Sequence, residues 1–202
     1  MQEKSAFDIL IENLIELGLE PESNRSDKTF FMSTTDRALS AKYVGCKLSD
    51  SVYFFAVDYY GTRVGSSSTF TGIYSTIDLP LKAEYKVTKR DWFDFLYTKR
   101  KKAGISYIDK NITIISSTYI PKKELSKKNV ELFLSMHKVV PYYLIVENNY
   151  LPRLTMFKNK KVIGLEISRW IYEKEDLKDL ISRGRDLINS INNEIKNNYG
   201  FI

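Results

Sequence analysis

The chain contains one histidine, His137, and one cysteine, Cys46, among its 202 residues. A Ser-His-Asp triad needs a histidine beside a nucleophile, and zinc or non-haem iron sites usually take several histidine or cysteine ligands. His137 falls in the last turn of a predicted short helix, where an imidazolium would complement the helix dipole. The neighbouring Lys47 would lower the pKa of Cys46, but a free cysteine in strand-like sequence is typically a small buried hydrophobe. The sequence predicts structural roles for both residues, no metal site and no cofactor.

Other polar residues lack the spacing that catalysis needs. The Ser/Thr run at 66–69 does not have the Gly-Lys-Ser/Thr spacing of a phosphate-binding loop, so we interpret it as a turn. No spacing pairs two of the scattered carboxylates, which include Asp58, Asp78, Asp91 and Asp94. An enzyme would need a site assembled from carboxylates, tyrosines and lysines that are distant in the sequence, and this alternative stays open.

The sharpest polar cluster consists of Lys99, Arg100, Lys101 and Lys102. Together with the lysines of 122–128, these residues are suited to contact nucleic acid or acidic lipid. A second explanation is that they end a helix, because basic residues in a last turn complement the helix dipole. We keep the four residues as a candidate anion-binding site, with a solvated helix end as the alternative.

Composition sets the class of protein. A hydrophobic content of 43% over 202 residues predicts one α+β domain that spans 1–202. The net charge of +6 arises from 31 basic and 25 acidic residues, which is a mixed surface rather than that of a dedicated nucleic-acid binder. A single cysteine excludes an internal disulfide, and neither a signal peptide nor a membrane-spanning run is evident, so we expect a cytoplasmic protein.

Amphipathic helices are predicted at both ends of the chain. Apolar residues recur at helical spacing over 5–17, and Gly18 follows them. The closing helix has a longer stripe, formed by Leu177, Leu180, Ile181, Gly184, Leu187, Ile188, Ile191 and Ile195. Gly184 within the stripe predicts a close contact with a sheet or another helix.

Strand patterns dominate between these helices. Alternation over 30–60 and 69–79 predicts an antiparallel meander with a loop at 61–68, and 21–28 is a polar segment that precedes it. Further strands are predicted as a pair at 105–117 and singly at 142–146, 154–157 and 162–167, with turns at Asn148-Asn149 and Asn159-Lys160. We interpret the strand aromatics as core rather than as base-stacking groups; they are Tyr53, Phe55, Tyr59, Phe70 and Tyr74.

Two more helices are predicted inside the chain. Thr88 and Asp91 have the spacing of a capping box, and the apolar Trp92, Phe93, Phe95 and Leu96 follow them, so a helix is expected over 88–103. Ser126 is expected to cap a second, shorter helix.

Several segments also carry a resemblance to a known family. They are AKYVGC (41–46), STFTGIYSTIDLP (68–80), YIDKNITIIS (107–116), LSKKNVELF (125–133) and the closing helix. In these segments the chain from Leu39 to Ile188 resembles a family of bacterial proteins classed only as a domain of unknown function. Family members often carry membrane-spanning segments ahead of the domain, and none is expected in this chain. The family has no catalytic motif, so the resemblance implies no site residues.

The sequence as a whole predicts an α+β fold in which one or two mostly antiparallel sheets are packed by amphipathic N- and C-terminal helices. The leading functional hypothesis is a non-enzymatic binding or scaffold domain that contacts a protein partner or a second copy of the chain. One alternative is a weak binder of anionic surfaces, either nucleic acid or acidic lipid, through Lys99–Lys102. The other is the enzyme with a dispersed site.

Overall fold

The computed structural model describes residues 4–26, 38–61, 68–137, 141–151, 154 and 156–199. In this part of the chain the helices are α1 (Ala6–Glu16), α2 (Ser106–Asn111), α3 (Lys127–Ser135) and α4 (Lys174–Tyr199). The strands are β1 (Glu22–Ser26), β2 (Ala38–Lys47), β3 (Val52–Gly61), β4 (Ser68–Thr76), β5 (Tyr85–Lys89), β6 (Arg100–Lys101), β7 (Ile112–Ile115), β8 (Tyr142–Asn148) and β9 (Lys161–Ile167).

All nine strands belong to one antiparallel sheet with the order β1-β2-β3-β4-β9-β8-β5-β7-β6. The sheet joins strands from the first and last parts of the chain, because β4 pairs with β9 at its centre. The predicted α+β class, with a largely antiparallel sheet and packing helices at both ends, is confirmed.

The helices cover one face of the sheet, which we call the helix face. Ser5 caps α1, and its Oγ accepts a hydrogen bond from the Asp8 backbone N–H at 3.3 Å. The buried stripe of α4 packs on β4 and β9, where a Cβ at Gly184 would lie 2.9 Å from Cγ1 of Ile73. Both terminal helices and the close contact at Gly184 are therefore confirmed.

The opposite face of the sheet, which we call the open face, has its own smaller core. Leu151, Leu154 and Phe157 from the β8–β9 connection cover its β3–β4 half, where Phe55 and Phe70 are buried. This connection turns at Asn149 (φ 52°) and Asn159 (φ 58°), which confirms the two predicted turns. Ile145 of β8 also belongs to this core, whereas Lys86 of β5 and Glu147 of β8 are exposed.

Three predictions about elements are wrong, each in the choice between strand and turn or helix, and one strand was not predicted. The polar segment 21–28 contains β1, which pairs with β2 as a sheet edge, where polar residues are tolerated. Residues 105–117 form α2 followed by β7 instead of two strands. Leu154 and Phe157 lie in successive turns, in which Phe157 N–H donates to the Leu154 carbonyl at 2.9 Å. The predicted strand residues at 30–37 and the loop at 62–67 lie outside the described residues.

The third wrong prediction is the helix over 88–103. Thr88 belongs to β5 and pairs with Tyr143 on one side and Thr113 on the other. A short isolated helix is marginal without tertiary packing, so pairing on both edges of β5 outweighs the helical pattern. The chain then forms a 3-10 turn at Asp94–Leu96 and the edge strand β6. The predicted helix capped by Ser126 is correct and forms α3.

Candidate functional site

The structure gives His137 and Cys46 packing roles. The His137 Nδ1 atom lies 3.0 Å from the Phe133 carbonyl oxygen, and the ring meets Phe133 and Tyr142 edge-on. Burial lowers the pKa of His137, which favours a neutral ring at neutral pH. Cys46 is buried, and burial raises the pKa of its thiol to about 12. Because the thiolate is the nucleophilic form, Cys46 is unreactive at neutral pH.

An exposed group of large apolar side chains occupies the segment that was predicted to be helical. We call residues 91–97 the aromatic turn. Their exposed fractions are 85% for Trp92, 62% for Phe93, 67% for Phe95 and 64% for Leu96. Four protruding groups of this kind within five residues are unusual on a protein surface, where single exposed apolar residues are the norm.

A buried carboxylate holds the aromatic turn in this conformation. Asp94 is 2% exposed and accepts hydrogen bonds from the Thr113 hydroxyl and, at 3.3 Å, from the Asp91 N–H. Arg90 Nε lies 3.5 Å from the same carboxylate, and Asp91 Oδ1 accepts from the Phe93 N–H at 2.8 Å. The contacts of Asp94 thus anchor the turn to the sheet, and the four large apolar side chains around it are left exposed.

The predicted basic cluster lies directly after this turn. Arg100 and Lys101 form β6, at the edge of the sheet, and pair with Ile115 and Ile114 of β7. Lys99 and Lys102 flank the strand and are exposed. No helix ends here, so the helix-dipole explanation for the cluster is wrong. Charged residues on an edge strand also discourage pairing with other chains, which is a structural reason for their presence.

A second polar group lies in the middle of the open face. Glu166 Oε2 accepts hydrogen bonds from the Tyr74 hydroxyl at 2.8 Å and the Tyr150 hydroxyl at 2.7 Å. The ring of Tyr74 lies over Gly72 and Gly164, where an added Cβ would come within 2.6 Å of it. The two glycines therefore leave room for Tyr74 to reach Glu166.

Lys86 and Glu147 lie beside this group on β5 and β8. The Lys86 ammonium is 3.6 Å from the centre of the Tyr143 ring. Burial raises the pKa of Glu166 and of Glu147, and the positive charge of Lys86 offsets only part of that effect. Burial also raises the pKa of Tyr74 and Tyr150, so both hydroxyls are hydrogen-bond donors at neutral pH.

A cavity of about 320 Å³, which we call the open-face cavity, is found at this group. Its charged and hydroxyl-bearing lining residues are Glu84, Tyr85, Lys86, Lys99, Ser116, Ser117, Glu147, Tyr150 and Glu166. The structure thus brings together carboxylates, tyrosines and lysines from four strands and their connections, as the dispersed-site hypothesis requires. Of the residues predicted as an anion-binding cluster, Lys99 joins it.

Two larger cavities offer less chemistry. In the first, of about 640 Å³, Lys161 Nζ donates to the carbonyls of Leu81 and Ala83, and the Asn148 amide donates to Leu81 and Glu84. These polar groups are already used to join β5 to the β8–β9 turn. The second, of about 620 Å³, adjoins the buried and protonated thiol of Cys46.

Comparison of the chain with protein-family models, with curated proteins and with solved structures gives no match. The resemblance to a bacterial family therefore stays a prediction. Within the described ranges, no helix combines the length and the apolar character needed to cross a bilayer. The same residues contain no group of three or more His, Cys, Asp or Glu side chains placed to hold a metal ion.

Proposed function

We propose that this protein is a binding domain that docks on anionic lipid surfaces through the aromatic turn and the basic residues that follow it. The observation that carries the proposal is the exposure of Trp92, Phe93, Phe95 and Leu96 next to a basic edge strand. The proposal develops the predicted binder of anionic surfaces. The protein partner of the leading hypothesis stays a prediction.

The energetics favour a bilayer interface as the partner. Apolar side chains that enter the boundary between head groups and acyl chains leave water, which is worth about 1.5–3 kcal/mol for each one fully buried. Tryptophan is enriched at this depth because one end of its ring system is polar. Basic residues near an anionic membrane add about 1 kcal/mol each. The aromatic turn and Arg100–Lys102 combine both contributions in one short segment.

Nucleic acid and protein partners fit the same segment less well. Base stacking needs flat rings along a basic groove, whereas Leu96 has no ring and the four side chains protrude from a turn. A protein interface needs a complementary surface in which charged residues are depleted from the centre and large apolar groups are enclosed. A fluid bilayer has no fixed shape, so it accepts protruding side chains without a matching pocket.

The test is sedimentation of the protein with vesicles of phosphatidylcholine, with and without phosphatidylglycerol. We expect binding only when phosphatidylglycerol is present, and weaker binding as salt rises. The double variant Trp92→Ser/Phe95→Ser should lose binding. Leu81→Ser is its matched control, because Leu81 is 82% exposed and precedes the opposite end of β5.

The electrostatic contribution is tested with a separate set of variants. Replacing Arg100, Lys101 and Lys102 with Ser should weaken binding at least roughly tenfold, given about 1 kcal/mol for each charge. The charge-matched control replaces three exposed lysines elsewhere, Lys42, Lys82 and Lys178, with Ser. Equal losses in both triple variants, or wild-type binding that ignores lipid charge, would contradict the proposal. Preferential binding to RNA or DNA over these vesicles would favour the nucleic-acid alternative.

A further inference from the structure

The open-face cavity contains both signs of charge in a small volume. Glu147 and Glu166 line its β8–β9 side, and Lys99 and Ser117 line it next to β6 and β7. Lys86 on β5 lies between these two sides. A volume of about 320 Å³ is at the small end of ligand pockets, which suits a short molecule with a positive and a negative end.

The position of the Glu166 carboxylate is fixed by neutral partners. Its Oε2 accepts the two tyrosine hydroxyls, and in the described part of the chain neither Glu166 nor Glu147 forms a direct ion pair with a lysine or arginine. Glu166 is half-buried and Glu147 is exposed. A carboxylate without a paired cation gains from a ligand that brings one, since charge-assisted hydrogen bonds are the strong ones.

The aromatic turn is connected to this cavity through a row of neighbouring side chains. Asp94 of the turn accepts the Thr113 hydroxyl, Thr113 pairs with Thr88, and Thr88 pairs with Tyr143. The ring of Tyr143 is covered by the Lys86 ammonium, and Lys86 lines the cavity. Lys99, which follows the aromatic turn by two residues, also lines the cavity, so the turn and the cavity are neighbours.

We propose that the open-face cavity takes the head group of an aminophospholipid, in which an ethylene linker joins a phosphate to a primary ammonium. This inference rests on the proposed function, because docking brings the head group to the cavity. The ammonium binds Glu147 and Glu166, and the phosphate binds Lys99 and the Ser117 hydroxyl. A primary ammonium has N–H donors for the carboxylates, whereas the quaternary ammonium of phosphatidylcholine has none.

The first experiment uses the soluble head group and needs no membrane. Glycerophosphoethanolamine is titrated into the ¹⁵N-labelled protein, and saturable shifts are expected at the backbone amides of Lys86, Lys99, Ser117 and Glu147. Glu147→Gln and Lys99→Gln should each weaken this binding roughly tenfold, as expected for loss of one charge-assisted hydrogen bond. Their controls are Glu131→Gln and Lys178→Gln on the helix face. Ethanolamine or inorganic phosphate binding as tightly as the whole head group would overturn the proposal.

The second experiment distinguishes a lipid head group from a free metabolite. Vesicles with equal phosphatidylglycerol contain either phosphatidylethanolamine or phosphatidylcholine as the remaining lipid. Wild-type protein should bind the ethanolamine vesicles several-fold more tightly, and Glu147→Gln should bind both alike while still requiring phosphatidylglycerol. Because phosphatidylethanolamine also loosens lipid packing, a preference that survives in Glu147→Gln counts against the cavity.

Equal wild-type binding to both vesicles overturns this inference but leaves docking intact. Failure to bind either vesicle overturns the proposed function, and the soluble titration then reports on the cavity alone.

Discussion

The stability of the open face depends on whether Glu166 is ionised. Burial raises its pKa in the folded protein, so the ionised carboxylate destabilises the fold relative to the protonated one. Glu166→Gln keeps an oxygen to accept from the tyrosines but does not ionise. Above the raised pKa the variant should therefore be more stable than wild type.

Urea unfolding at several pH values tests the sign of this effect. The stability that wild type gains by protonating Glu166 is complete below the ordinary pKa of 4.5 and is lost as pH rises through the raised value. The advantage of Glu166→Gln should thus be present at about pH 7.5 and absent at about pH 4. Glu131→Gln, an exposed change on α3, should show no such trend. An advantage that grows towards acid pH would contradict the assignment.

The spacing of residues along β4 and β9 could have indicated part of the site around Glu166. Gly72 and Tyr74 are two residues apart, as are Gly164 and Glu166, so each pair lies on one face of its strand. The sequence does not reveal that β4 pairs with β9, because this contact joins distant parts of the chain. The dispersed-site hypothesis therefore named residue types that the open-face cavity contains but could not name the residues, and it stays a prediction.

At the scale of elements, the aromatic turn depends on one buried hydrogen bond between Asp94 and Thr113. Asp94→Ala would leave the Thr113 hydroxyl, which is 1% exposed, without its acceptor, at a cost of roughly 1–3 kcal/mol. Thr113→Val in the Asp94→Ala background removes that stranded hydroxyl. Urea unfolding of the two single variants and the double variant should therefore give less than additive losses.

Asp91→Ala is the control for this double-mutant cycle, because the Asp91 carboxylate accepts only at the exposed end of the turn, from the Phe93 N–H. It should cost under about 1 kcal/mol. If the turn positions the aromatic groups as proposed, Asp94→Ala should also weaken vesicle binding although it retains every aromatic side chain. Additive losses in the cycle would show that Asp94 and Thr113 act independently.

The sequence predicts the elements that have long apolar stripes. It does not predict the elements whose conformation depends on pairing with a distant strand. α1 and α4 show helical spacing over their whole length, and the strong alternation of β3 and β4 specifies strands. The segment 88–103 has a helical pattern as well, but Thr88 is already committed to two neighbouring strands. That pairing prevents a helix here, so Trp92, Phe93, Phe95 and Leu96 are exposed instead of forming a buried helix face.

At the scale of the whole molecule, the two tryptophans mark opposite regions of the sheet. Trp170 stacks on Phe7 of α1, with ring centres 5.8 Å apart, and its Nε1 donates to the Val57 carbonyl of β3 at 2.8 Å. Trp92 protrudes from the turn after β5. Four inter-strand steps of about 4.8 Å separate β3 from β5, and Trp170 packs on the helix face. A bilayer that meets the aromatic turn should therefore touch Trp92 and leave Trp170 in the protein.

Fluorescence quenching by lipids with brominated acyl chains tests this orientation with single-tryptophan proteins. The sequence contains two tryptophans, so Trp170→Phe leaves only Trp92 and Trp92→Phe leaves only Trp170. On phosphatidylglycerol vesicles we expect strong quenching and a blue shift for Trp92, and neither for Trp170, in each case at a lipid concentration that binds most of the protein. Quenching of Trp170 alone would place the helix face on the membrane, and the aromatic turn would then need another partner. Quenching of Trp92 alone places the aromatic turn, and not the helix face, on the bilayer.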